Sequence, residues 1–105
     1  MIILNEQQLK IVHDILQKHV PEEKIMVFGS RITGTIKPYS DLDLCIMGTQ
    51  PLSLQQLGDL REDFSESDLP FRVDIVEWTT ITPEFKKIIE AHCEELPPPK
   101  ILIRN

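Results

Sequence analysis

Apolar residues recur at helical spacing near the start of the chain: Leu9, Val12, Leu16 and Val20, with Ile11 and Ile15 widening the stripe. Lys10, His13, Asp14, Gln17 and Lys18 occupy the opposite side, so this stretch predicts an amphipathic helix. Asn5 stands where a cap belongs, Gln8 completes a capping box, and Pro21 ends the helix. Ile25-Met26-Val27-Phe28 is a short apolar run of strand type, stopped by Gly29. Ser30 to Thr35 has room for about one or two helical turns before Gly34, Pro38 and Tyr39 turn the chain. Leu42 to Met47 predicts a second strand, closed by Gly48.

Ser53 caps a second long helix whose apolar face is Leu54, Leu57, Leu60 and Phe64. Phe71 to Trp78 predicts the third strand. Thr82-Pro83-Glu84 joins a cap, a proline at the first helical position and an acid in the first turn. Phe85, Ile88, Ile89, Cys93 and Leu96 carry that helix on to Pro97-Pro98-Pro99. Residues 97–105 read as a short tail whose apolar centre could add an edge strand, dock on a partner or be disordered. The order is α-β-α-β-α-β-α: an α/β (α+β) fold with a small mixed three-stranded sheet packed by helices, in one domain spanning residues 1–105.

Composition narrows the function. The chain is 41% hydrophobic and 27% charged, as in ordinary globular proteins, and no apolar run is long enough to span a bilayer. Cys45 and Cys93 are too few for a disulfide framework, which implies a reduced, cytoplasmic protein. Formal net charge is −6 and the basic residues are scattered, which disfavours direct nucleic-acid binding. His13, His19 and His92 lack metal-ligand spacing and read as surface or packing residues; Trp78 and Phe71 read as core, with contact to a base as the alternative.

The candidate chemistry lies in the acids. Alternation along a strand puts Asp41 and Asp43 on one face and Leu42, Leu44 and Ile46 on the other. Two carboxylates about 6–7 Å apart along the backbone can converge on one cation or bracket two. A solvated strand end would show the same pair. Asp74 lies between Val73 and Ile75, where an acid is costly unless it faces water, a partner or a metal. It either pairs with Arg72 or faces solvent, or it stands beside Asp43 and accepts a proton from an attacking hydroxyl. Cys45 shares the acids' face and reads as a small buried filler. Gly29 lets the backbone approach a ligand closely, and Ser30 then opens a short helix whose free N–H groups suit phosphate. Arg31 is placed to add charge there, or to lie on the surface.

Phe28-Gly29-Ser30, Asp41-Leu42-Asp43 and the later Asp74 together resemble the minimal nucleotidyltransferase (MNT) family of the DNA polymerase β-like superfamily. The fuller string from Phe28 through Gly34, with Tyr39-Ser40-Asp41-Leu42-Asp43-Leu44, is close to that family's pattern, and the similarity runs from Asn5 to about Leu96. The resemblance implies transfer of AMP from ATP to a hydroxyl with release of pyrophosphate. It implies two Mg²⁺ ions on Asp41, Asp43 and Asp74, phosphates on Gly29 and Ser30, and Arg31 and Ser40 in the nucleotide site. The short stretch after Asp74 implies that a partner completes the acceptor side. Members of this family resemble antitoxins that adenylylate a tyrosine of a HEPN-type RNase toxin, as a hetero-oligomer. Two alternatives stand beside this: an antitoxin acting by binding alone, and a transferase for a small hydroxylated molecule.

Overall fold

The computed structural model describes residues 2, 4–33 and 40–97. Helix α1 (Glu6–His19) begins with the predicted box: the Gln8 amide donates to Asn5 Oδ1 at 2.7 Å, and the Asn5 amide donates to Gln8 Oε1 at 3.1 Å. Strand β1 (Ile25–Phe28) runs into the one-turn helix α2 (Ser30–Thr33), and β2 (Leu42–Ile46) follows. Helix α3 (Leu54–Ser65) is capped by Ser53, whose hydroxyl accepts from the Gln56 amide at 3.0 Å. Strand β3 (Val73–Glu77), helix α4 (Pro83–Ala91) and strand β4 (Cys93–Glu95) complete the order. Thr82 caps α4 through the Phe85 amide, with Pro83 behind it. The Gly34-to-Tyr39 turn and the tail beyond Pro97 lie outside the described residues.

The sheet is mixed, in the order β3-β2-β1-β4. Strands β1 and β2 are antiparallel, β2 and β3 parallel, and β1 and β4 antiparallel. Val12 and Leu16 of α1 and Leu60 and Phe64 of α3 pack on Val27, Leu42, Leu44, Ile46 and Ile75 to form the main core. The alternation of β2 is therefore as its sequence predicts, with its leucines inward. Helix α4 lies on the opposite face, where Phe85 meets Phe28 edge-on at 5.7 Å between ring centres. Buried Ile89 and Cys45 stand apart from the main cluster.

The prediction of three strands and a last helix reaching Leu96 needs correction. Helix α4 stops at Ala91, His92 adopts extended dihedrals, and residues 93–95 pair with Met26, Val27 and Phe28. The spacing of Cys93 and Leu96 suits a helix, but β1 has a second edge whose backbone groups require partners. Satisfying that edge outweighs continuing the helix, and Ile88 is left 64% exposed. Leu54 is also displaced from its predicted role: it is 89% exposed, and α3 meets the core only from Leu57 onward.

Candidate active site

Register brings the acids together. Asp43 has Phe28 of β1 as its partner on one side and Asp74 of β3 on the other. Matched positions share a face, so these three side chains form a row across neighbouring strands about 4.8 Å apart, on the face away from α1 and α3. Asp41, two residues before Asp43, falls on the same side by alternation. Asp74 is exposed and Asp43 is half-buried. Among the described residues no ion pair joins Asp74 to Arg72.

Burial pushes the Asp43 carboxyl up to about 6, and the charges of Asp74 and then Asp41 push it the same way. Asp43 therefore senses the charges of both other aspartates. Such a repelling set of oxygens favours a hard divalent cation, which would reverse the repulsion. Among the described residues no three His, Cys, Asp or Glu side chains already enclose an ion position. Mg²⁺ is ordinarily held by one or two carboxylates, with waters and substrate phosphates filling the remaining positions. Asp41, Asp43 and Asp74 fit that partial shell.

Gly29 has a positive φ of 83°, open to glycine at little cost. A methyl group there would overlap Asp43 Oδ2. The space left by the missing side chain is thus where the Asp43 carboxylate rests, so the turn and the acid are built as one unit. Ser30 follows immediately as the first residue of α2.

Arg31 turns inward and is only 3% exposed. Its Nε and Nη2 donate to the Ser40 carbonyl at 3.2 and 2.9 Å, and its guanidinium lies 4.0 Å from the centre of the Phe71 ring. Burial lowers its pKa from the ordinary value. Arg31 fastens the backbone immediately before Asp41, a role its sequence position did not reveal.

A cleft of about 720 Å³ opens beside the row of acids, bordered by Phe28, Asp43, Asp74, Phe85, Arg61 and Arg72 among others. That volume is typical of small-ligand sites. The Cys45 thiol is held up at about 11, by burial and then by Cys93, so it is an inert filler of this face.

Two further groups escaped sequence reading. Glu77 is 8% exposed, and its carboxylate accepts from the Leu52 amide at 2.7 Å, pinning the loop between β2 and α3. Its parity with Ile75 put an acid on the core face, which was the available signal. His19 Nε2 lies 2.5 Å from Asp63 Oδ2, joining α1 to α3. That hydrogen bond, assisted by Lys18, holds the Asp63 carboxyl below its ordinary value against some desolvation.

Residues 9–96 match the nucleotidyltransferase domain family. The probable protein adenylyltransferase MntA of Haemophilus influenzae is 46% identical over 86 residues, covering 82% of this chain and 75% of that protein. A crystal structure of a toxin–antitoxin pair with AMP-PNP shares the fold at TM-score 0.73 and 22% identity, covering 92% of this chain and 76% of that one. A tri-AMPylated Shewanella oneidensis HEPN toxin in complex with its MNT antitoxin gives TM-score 0.65 at 20% identity, covering 86% and 69%. No helix among the described residues is long and apolar enough to cross a membrane. From its match along residues 9–96 and its identity to a curated relative, the chain belongs to the nucleotidyltransferase domain family.

Proposed function

We propose that this chain is a Mg²⁺-dependent adenylyltransferase that moves AMP from ATP to a tyrosine hydroxyl of a HEPN-type toxin, and so acts as its antitoxin. The observation that carries this is the row of Asp43 and Asp74 on adjoining strands, with Asp41 in range and Gly29 against Asp43. The names borne by its relatives, an adenylyltransferase and an AMPylated HEPN toxin with its antitoxin, support the same reading.

Asp41, Asp43 and Asp74 would hold Mg²⁺, which supplies charge neutralisation for the phosphates and the leaving pyrophosphate. Gly29 and Ser30 line the turn that receives the β- and γ-phosphates, while Arg31 and Ser40 set its shape from behind. Exposed Asp74 stands where an incoming hydroxyl can approach. The acceptor oxygen bonds to the α-phosphorus, the bond from that phosphorus to pyrophosphate breaks, and the hydroxyl proton passes to Asp74. Catalysis of this kind rests on positioning and on compensating developed charge, so few groups suffice. Both cysteines are free, in keeping with a reducing cytoplasm.

The test is the intact mass of a HEPN-type partner after incubation with this chain, ATP and Mg²⁺. The expected result is addition of AMP units to a tyrosine, lost in Asp41→Asn and Asp43→Asn. Full neutralisation of the partner with no change in mass would replace this reading with inhibition by binding alone.

A further inference from the structure

Strand β3 carries Asp74 and is an edge of the described sheet. Its hydrogen bonds to β2 show which backbone groups point outward. Leu42 donates to the Arg72 carbonyl at 2.9 Å, and Trp78 donates to the Ile46 carbonyl at 3.0 Å. In a parallel ladder the bonding residues alternate, so 72, 74, 76 and 78 face β2 while Val73, Ile75 and Glu77 face away. Glu77 finishes its outward carbonyl locally, with the Thr80 amide and hydroxyl. The Ile75 carbonyl receives Arg61 Nη2 at 3.2 Å. The amides of Val73 and Ile75 remain directed outward into the cleft, which runs along Val73, Asp74, Ile75 and Val76 in unbroken succession.

The charge of this cleft is also specific. Arg61 and Arg72 border it, although the chain as a whole carries −6. Its two acids, Asp43 and Asp74, are those assigned to Mg²⁺ above. Among the described residues no carboxylate pairs with Arg72, so its guanidinium is left to meet whatever enters beside Asp74.

We propose that the outer edge of β3 is where the acceptor polypeptide docks, as an added strand with acidic side chains flanking its hydroxyl residue. This rests on the transferase reading and names how its substrate is presented. Main-chain bonds to an exposed edge give affinity without demanding a sequence, and alternate side chains supply selectivity. The added strand lies next to Asp74, so every second side chain falls on the face where Asp74 stands. Arg72, two residues earlier, falls on that face too and meets an acidic neighbour of the acceptor residue.

The experiment uses the isotopically labelled full chain with Mg²⁺ and AMP-PNP, titrated with short peptides bearing one tyrosine between glutamates, or between lysines as control. Nuclear magnetic resonance should show shifts and slowed hydrogen exchange at the Val73 and Ile75 amides with the glutamate peptide. The lysine peptide should bind at least about tenfold more weakly. Arg72→Ala should weaken the glutamate peptide by roughly two- to fivefold, and Arg72→Glu should narrow or reverse the preference. Val73→Pro removes one outward donor and should abolish peptide binding while AMP-PNP binding persists. Unmoved Val73 and Ile75 amides at saturating peptide, or equal affinity for both peptides, would overturn the proposal. If AMP is nonetheless transferred to a protein tyrosine, the transferase reading survives that loss. If no protein acceptor takes AMP while the amides respond, the edge is retained as a docking surface and the transferase reading falls.

Discussion

Replacing Asp43 by asparagine should make the metal-free protein more stable while removing its activity. The carboxyl is raised from 3.8 to about 6, chiefly by burial and then by Asp74 and Asp41. At about 1.36 kcal/mol per tenfold change in proton affinity, this corresponds to a ceiling of about 3 kcal/mol. Asp43 is half-buried, so solvent screening reduces that to roughly 1–2 kcal/mol at neutral pH. An acid raised in the folded state costs stability above its folded value. That cost disappears as pH falls from about 6 toward about 4, because the folded form then takes up the proton first. The substituted amide has no charge to bury, and in a domain of this size the gain corresponds to roughly 5–10 °C in Tm. Thermal unfolding in chelator at neutral pH and again near pH 4.5 would measure it. The advantage of Asp43→Asn should be full at neutral pH and shrink to about a third near pH 4.5, and Mg²⁺ with nucleotide should erase it by stabilising only the wild type. A variant no more stable than wild type at neutral pH, or an advantage unchanged by pH, would refute the burial and crowding of the Asp43 carboxylate.

Gly29→Ala should lower both stability, by at least about 1–2 kcal/mol, and transfer, since it strains a positive φ and displaces Asp43; denaturant titration and AMP transfer report the two losses. Arg31→Lys keeps the charge but loses the fork on Ser40 and the stacking on Phe71, and should cost about 2 kcal/mol in chemical denaturation. Glu77→Ala leaves the Leu52 amide without its acceptor and should cost about 1–3 kcal/mol, with Glu77→Gln losing less; hydrogen exchange at Leu52 identifies the cause. Asp63→Asn should reduce the loss of stability at strongly acid pH. Asp63 is depressed in the folded state, so its contribution is present above its ordinary value and is lost as pH falls through the lower folded one.

Part of the candidate site was legible because strand alternation is a short-range rule, whereas the level of Asp74 with Asp43 is set by a strand pairing remote in sequence. Alternation placed Asp41 opposite Leu42 and Leu44, and a parallel neighbour for β2 put Asp74 level with Asp43. What escaped depends on contacts remote in sequence. Nothing local to Cys93 announces that β1 needs a partner on its other edge, and the apolar spacing there suits a helix equally well. Arg31 reads as a cation for the phosphate turn or for the surface until Phe71, forty residues later, is seen beneath it. Glu77 was detectable by parity, but its acceptor role required knowing where the loop at Leu52 returns.

If three aspartates beside Gly29 position a nucleotide for transfer of its AMP moiety, the fate of each phosphorus is fixed. The decisive measurement incubates the chain and its HEPN-type partner with Mg²⁺ and ATP labelled at either the α- or the γ-phosphorus. Label should reach the partner from the α-position only, depend on Mg²⁺, and be lost in the still-folded Asp43→Asn variant. Label arriving from the γ-position, or undiminished α-transfer by Asp43→Asn, would be incompatible with that role for the aspartates.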